Sequence, residues 1–407
     1  MHQQTQSSTT ALALAGFIAL AVCMGIGRFA FTPLLPMMQQ DADLQIAQAG
    51  WLASANYFGY LAGALVAGAI PWETRTQLRV GLWLVVITTG LMALGHYWPL
   101  WAVWRFIAGV ASAIGLVAVS TLCLSRLAAL GQPHKAGLMF TGVGFGIALA
   151  GLLCMGLSLA HVLSATAWLV MAAVALLGLV CTRWLLAKAS FHAAPPASDH
   201  AVANSTTSTS EKQSMIRHAR LIFCYGCFGF GYILPATFLP AQARLLVSDP
   251  SIFGLAWPLF GLAAAASTLI MSRIRRNYSR RAMWVITQLV MALGVLIPAL
   301  WSSVTAIVIA ALCVGGTFMV VTMMGMQEAQ IQGGANARQL IAAVTAAFAT
   351  GQLAGPVVFS LMHDYLGTSL EGALVLGCAI LLLSCALLLR PFPALNGASS
   401  PIDRSQV

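Results

Sequence analysis

Of 407 residues, 59% are hydrophobic and 7% charged. A water-soluble domain carries about 25% charged residues, so this chain cannot coat itself with a solvated surface and is read as a polytopic membrane protein. The net charge of +10 would suit nucleic acid if it were gathered on one face; it follows the membrane instead, and no nucleic-acid partner is expected.

A membrane-spanning helix needs about 20 apolar residues, and twelve such stretches follow one another along the chain. The first six are 11–38, 46–70, 80–96, 98–125, 137–160 and 164–187. The second six are 217–241, 251–271, 282–301, 303–326, 338–362 and 369–389. Short segments alternating apolar with polar residues, the mark of a membrane β-barrel, do not occur. The first stretch follows the polar MHQQTQSSTT and outruns a signal-peptide core, so it is read as a retained helix.

Two of the twenty Lys and Arg, Arg28 and Arg105, lie well inside spans, and the rest lie in loops or at span ends. Of the other eighteen, seventeen fall on one side when the N-terminus is placed in the cytoplasm, and only Arg244 falls on the other. That bias sets both ends in the cytoplasm with an even number of crossings. All nine cysteines lie within spans, which gives no extracellular disulfide framework. Cys224 and Cys227 form a C-x-x-C in the seventh span, read as helix packing.

Between the sixth and seventh spans stands FHAAPPASDHAVANSTTSTSEKQS, a polar segment read as a flexible cytoplasmic linker. The chain then divides into an N-terminal bundle (1–189), a linker (190–215) and a C-terminal bundle with a short tail (216–407). The halves correspond: GIGRFAFTPLLP at 25–36 lies over GFGYILPATFLP at 229–240 with a constant offset of 204. Gly25 and Gly27 fall on Gly229 and Gly231, Pro36 falls on Pro240, and Arg28 falls on Tyr232. Gly142 and Gly146 in the fifth span likewise match Gly351 and Gly355 in the eleventh.

Duplicated transporter halves place a substrate site near the midplane, where interrupted helices of the two repeats meet. The first and seventh spans carry the interruptions here, at Pro33 and Pro36 and at Pro235 and Pro240. The glycine pairs, with Pro356 after Gly355, read as close helix packing.

Six plus six helices around a polar linker resemble the major facilitator superfamily. More narrowly, GIGRFAFTPLLPMM, AGWLASANYFGYLAGAL, WRFIAGVASA and GGTFMVVTMMGM resemble its bacterial YbfB/YjiJ-like branch over nearly the whole chain. The resemblance implies two pseudo-symmetric six-helix bundles and alternating access, and it names no substrate. Two superfamily motifs are altered. The loop after the second span reads GAIPWETRTQLR, with Trp72 in the usual place of an acid, and Ile147 stands where drug/proton antiporters have a proline.

An arginine inside a span costs roughly 3 kcal/mol on insertion scales, so both should face the bundle interior. Arg28 shares a helical face with Met24 and Thr32, and Arg105 with Gly109 and Ser112. The ten acids are Asp41, Asp43, Glu73, Asp199, Glu211, Asp249, Glu328, Asp364, Glu371 and Asp403, none of them well inside a span. The arginines therefore lack a counter-charge at their own depth. A guanidinium stays protonated and matches a carboxylate. The alternatives are a structural role, strongest for Arg105, and a coupling role.

Asn56, Tyr57, Tyr232, Trp257, Thr317 and Gln352 are the further candidates for reading cargo, Tyr232 because the repeat sets it opposite Arg28. No nucleophile–base pair, metal cluster or phosphate loop is present, so neither an enzyme nor a cofactor is expected. The sequence reads as a secondary transporter of the bacterial inner membrane, moving a small organic anion, with possible proton coupling. The competing readings are a proton-driven exporter of amphipathic or cationic compounds and a non-transporting sensor.

Overall fold

The computed structural model describes residues 2–190, 208–246, 250–274, 279–301 and 303–390. Among them twelve long helical segments follow in chain order. The first, α1, joins His2–Leu20 to Phe31–Asp41 through a π-helical stretch at Ala21–Phe29. The rest of the first half is α2 (Ile46–Ala69), α3 (Thr74–Leu91), α4 (Trp98–Ala129), α5 (Ala136–Leu159) and α6 (Ser164–Ser190). The second half is α7 (Ser208–Leu246), α8 (Pro250–Ile274), α9 (Arg280–Leu300), α10 (Val304–Gly333), α11 (Ala337–Leu366) and α12 (Leu370–Leu389).

Each expected span has its helix, with shifted ends. α3 begins at Thr74 rather than 80, and α10 runs on to Gly333 rather than 326. That extension carries Glu328 inside the helix and buries it, where it pairs with Arg280 and Arg281 at 3.5 and 3.7 Å. The sequence reading ended this span at 326, before Glu328, and the helix corrects it. Of the expected linker 190–215, residues 191–207 lie outside the described residues, and α7 is already helical from Ser208. Nor is α7 interrupted: it passes through Pro235 and Pro240 as one helix, so only α1 shows the expected break.

Nine stretches among the described residues are long and apolar enough to cross a membrane, and one of them, Val304–Leu366, holds both α10 and α11. α2 and α3 fall outside this set. Their polarity explains it: α2 carries Gln48, Asn56, Tyr57 and Tyr60 along its length, and α3 opens with TRTQLR.

Glycine lets the helices approach to backbone contact. A Cβ added at Gly59 would sit 2.0 Å from the Phe106 carbonyl oxygen, and one at Gly109 would sit 2.1 Å from that of Asn56, which locks α2 onto α4. Gly142 meets the Phe17 carbonyl of α1 in the same way, and Gly351 meets that of Gly226 in α7. The first helix of each half thus lies on the fifth through a small-residue face.

Between halves, α5 packs on α8 and α2 on α11. α5 and α8 touch along most of their length, from Gly137 near the basic loops to Gly151 against Pro258. Gly137 and Gly144 of α5 abut Ser272 and Ala265 of α8, and the Thr141 and Thr268 hydroxyls pair at 2.9 Å. Gly68 at the end of α2 abuts Ala342, and Arg338 donates to the Trp72 carbonyl at 2.8 Å.

Candidate substrate site around Arg28

The site starts from a defect in α1. Gly25 and Gly27 bring the helix so close to its neighbours that an added Cβ would lie 2.5 Å from Gly146 Cα and 2.7 Å from Ser112 Oγ. Pro33 has no N–H with which to bond back one turn. The backbone takes the wider π form over Ala21–Phe29, a feature that recurs at functional sites.

Two other helices satisfy the loosened backbone. Arg105 of α4 donates from Nη1 to the Gly27 carbonyl at 3.3 Å and from Nη2 to the Arg28 carbonyl at 3.1 Å. Asn56 of α2 donates to the Arg105 carbonyl at 2.9 Å and to that of Gly27 at 3.5 Å. A buried carbonyl left unpartnered costs about 1–3 kcal/mol, so Arg105 and Asn56 hold the distorted helix in place. Both were candidates for reading cargo. Here Nη1 and Nη2 of Arg105 and the Asn56 amide donate to backbone, Nε of Arg105 is buried without a partner, and neither residue lines the cavity described below.

The Arg28 side chain is free of that task. It is 4% exposed, and its guanidinium carbon lies 3.9 Å from the centre of the Tyr60 ring and 5.4 Å from that of Tyr57. Such contacts, desolvated, contribute about 2 kcal/mol. Nη2 donates across the two halves to Oε1 of Gln352 on α11. Nε and Nη1 are buried with no partner, and among the described residues no carboxylate pairs with this charge.

A small cavity of about 20 Å³ lies beside the guanidinium, room for a water molecule or two. Both halves line it: Met24, Arg28 and Tyr60 from one, and Tyr225, Tyr232, Phe318 and Phe348 among others from the second. Thr322 and Thr345 also face it, but their hydroxyls donate to carbonyls of their own helices, at 2.8 and 2.7 Å. What remains is a lone cation with unused donors in an apolar, ring-lined space. Chemically, that is an acceptor for a small anion.

The remaining candidates divide. Tyr232 lines the cavity, stacked on Phe318 at 5.3 Å, while Tyr57 and Gln352 touch Arg28 directly. Trp257 is half-buried and stacks on Phe260 at 5.6 Å, outside the lining. Thr317 donates its hydroxyl to Cys313 in its own helix, and Thr32 is exposed. The sequence reading passed over Phe318 and Phe348. The signal was helical spacing: Thr345 and Phe348 share a face with the candidate Gln352, at i, i+3 and i+7, and Phe318, Thr322 and Met326 fall at i, i+4 and i+8.

A family model described as "Uncharacterised MFS-type transporter YbfB" matches residues 20–389. An uncharacterised MFS-type transporter of Yersinia pestis (strain Pestoides F) is 26% identical over 386 residues, 91% of this chain and 93% of that one. YceJ of Bacillus subtilis (strain 168), also an MFS-type transporter, is 26% identical over 270 residues, 63% of this chain and 65% of its own length. Among solved structures, the human organic anion transporter TETRAN superposes with a TM-score of 0.71 at 14% identity, covering 93% of this chain and 99% of that one. The Escherichia coli fucose:proton symporter FucP gives 0.67 at 17% identity, over 94% and 98%.

Proposed function

Because the chain belongs to the family of MFS-type transporters described from YbfB, we propose that its cargo is a small organic anion, with Arg28 as the anchor. The observation that carries this reading is the buried guanidinium with two unpartnered nitrogens and no carboxylate at hand. A protonated arginine in a low-dielectric site attracts an anion and repels a cation. That weighs against the exporter of cationic compounds. TETRAN is named for organic anions; at 14% identity it shares the fold, and the reading rests on Arg28.

In this reading the two bundles, residues 1–189 and 216–407, rock about the site by alternating access, in a bacterial inner membrane with both ends cytoplasmic. The contacts between halves at the basic end support closure on the cytoplasmic side. A proton, where one is coupled, can travel on the cargo's own carboxyl group.

The test is uptake and binding by the purified protein in liposomes, with a panel of organic acids and amphipathic cations. Arg28→Gln is expected to abolish anion binding and transport while the protein still inserts and stays monodisperse. Undiminished anion transport by that variant would refute the anchor.

A further inference from the structure

We infer that the cargo is a monoanion with a flat, apolar, preferably aromatic body, as in an aryl or arylalkyl monocarboxylate. This rests on the anion reading above and narrows it.

Arg105 is 3% exposed, and its Nη1 and Nη2 donate to the Gly27 and Arg28 carbonyls. No Lys, second Arg or His lines the cavity, so Arg28 is its single cationic group. One carboxylate can be matched there, its oxygens taking Nη1 or Nε together with the Nη2 position that Gln352 Oε1 now fills. A second carboxylate would be buried without a partner.

Tyr232 and Phe318 lie 20° from parallel at 5.3 Å, Phe318 and Phe260 21° from parallel at 5.2 Å, and Phe260 and Trp257 10° from parallel at 5.6 Å. Tyr232 and Phe318 line the cavity with Arg28 and offer ring surface to a flat apolar guest, while Phe260 and Trp257 back them from outside it. The Thr322 and Thr345 hydroxyls donate within their own helices. Apart from Arg28 and three tyrosine hydroxyls, the walls are rings, methionines and aliphatic groups, which offer few partners to a polyhydroxylated cargo. The space is smaller than any such cargo, and Met24, Met319 and Met326 supply walls that re-pack around a guest.

The experiment measures ligand-induced thermal shift and calorimetric binding on the purified full chain at neutral pH. The probes are benzoate, acetate, terephthalate, benzamide and tetraphenylphosphonium. Benzoate is expected to bind at least about tenfold tighter than acetate or terephthalate, a 1.4 kcal/mol difference. Phe318→Leu, which keeps apolar bulk and loses the ring face, is expected to narrow the benzoate–acetate gap while remaining monodisperse. Acetate or terephthalate binding as well as benzoate, with all binding lost in Arg28→Gln, would overturn this inference and leave the anion reading standing. Benzamide or tetraphenylphosphonium binding as well as benzoate, or benzoate binding that survives Arg28→Gln, would overturn both.

Discussion

Arg28 and Gln352 stand 324 positions apart, on the first helix of one bundle and the fifth of the other, and share a hydrogen bond inside the protein. A neutral amide oxygen occupies the place on the guanidinium that an anionic oxygen would fill more strongly. In the proposed reading Gln352 is a resident stand-in for cargo, and because it belongs to the opposite half its hydrogen bond to Arg28 links the bundles.

Replacing that stand-in with a true anion should imitate occupancy. Gln352→Glu places a carboxylate against Arg28 at no change in size. The variant is expected to unfold at a higher temperature than wild type and to lose anion affinity by at least about tenfold, 1.4 kcal/mol. Gln352→Ala should do the reverse for stability, because another guanidinium nitrogen is then buried without a partner. Calorimetry and thermal unfolding in detergent check both. Wild-type affinity in Gln352→Glu would show that cargo does not meet this edge of Arg28.

The two buried arginines should separate by what their loss disturbs. Arg105→Gln withdraws donors from the Gly27 and Arg28 carbonyls, at roughly 1–3 kcal/mol for each carbonyl left bare. Its main signature is a lower unfolding temperature. Arg28→Gln removes a charge that has few protein partners, so its main signature is lost binding. Measuring unfolding and anion affinity for both variants tests the split; equal loss of affinity with no loss of stability in Arg105→Gln would place Arg105 in the site.

Much of this was legible in the chain because a bilayer leaves few choices. Apolar length and the one-sided placement of Lys and Arg located even α2 and α3, whose polarity hides them from a hydropathy measure. Arg28 announced itself as a charge where charge is costly. What stayed hidden was whether each polar side chain turns to the backbone or to the passage. The sequence favoured a structural role for Arg105 over Arg28, but the carbonyls that claim Arg105 belong to a π stretch in α1 that apolar length and charge do not reveal. Glu328 was misplaced for a simpler reason: the apolar run stops before the helix does.

The glycines should divide by what their hydrogen faces. Gly109→Ala would drive a methyl to 2.1 Å from the Asn56 carbonyl oxygen, and backbone cannot swing aside as a side chain can. Overpacking of this kind costs about 1–3 kcal/mol, and it strikes the helix pair that holds Asn56 and Arg105 in place. Gly50, on the same helix α2, has nothing within 4 Å of an added Cβ. Gly50→Ala should be neutral or gain up to about 1 kcal/mol from helix propensity. Thermal unfolding of the pair decides it, and similar losses in both would mean that close approach of α2 and α4 is not what Gly109 provides.

Movement between the bundles can be arrested at the basic end. The Thr141 hydroxyl of α5 and the Thr268 hydroxyl of α8 lie 2.9 Å apart across the two halves. Thiols set there can reach the 2.0 Å of a disulfide with little backbone adjustment. If transport requires this end to part, oxidised Thr141→Cys/Thr268→Cys protein should stop transporting and recover when reduced, while either single variant is indifferent to oxidant. A protease site placed within 191–207 supplies the physical check, since the cleaved halves should run together on a gel only when oxidised. Transport that continued through a fully formed cross-link would mean that the α5–α8 contact stays shut throughout the cycle, and the opening would have to be sought elsewhere in the bundle.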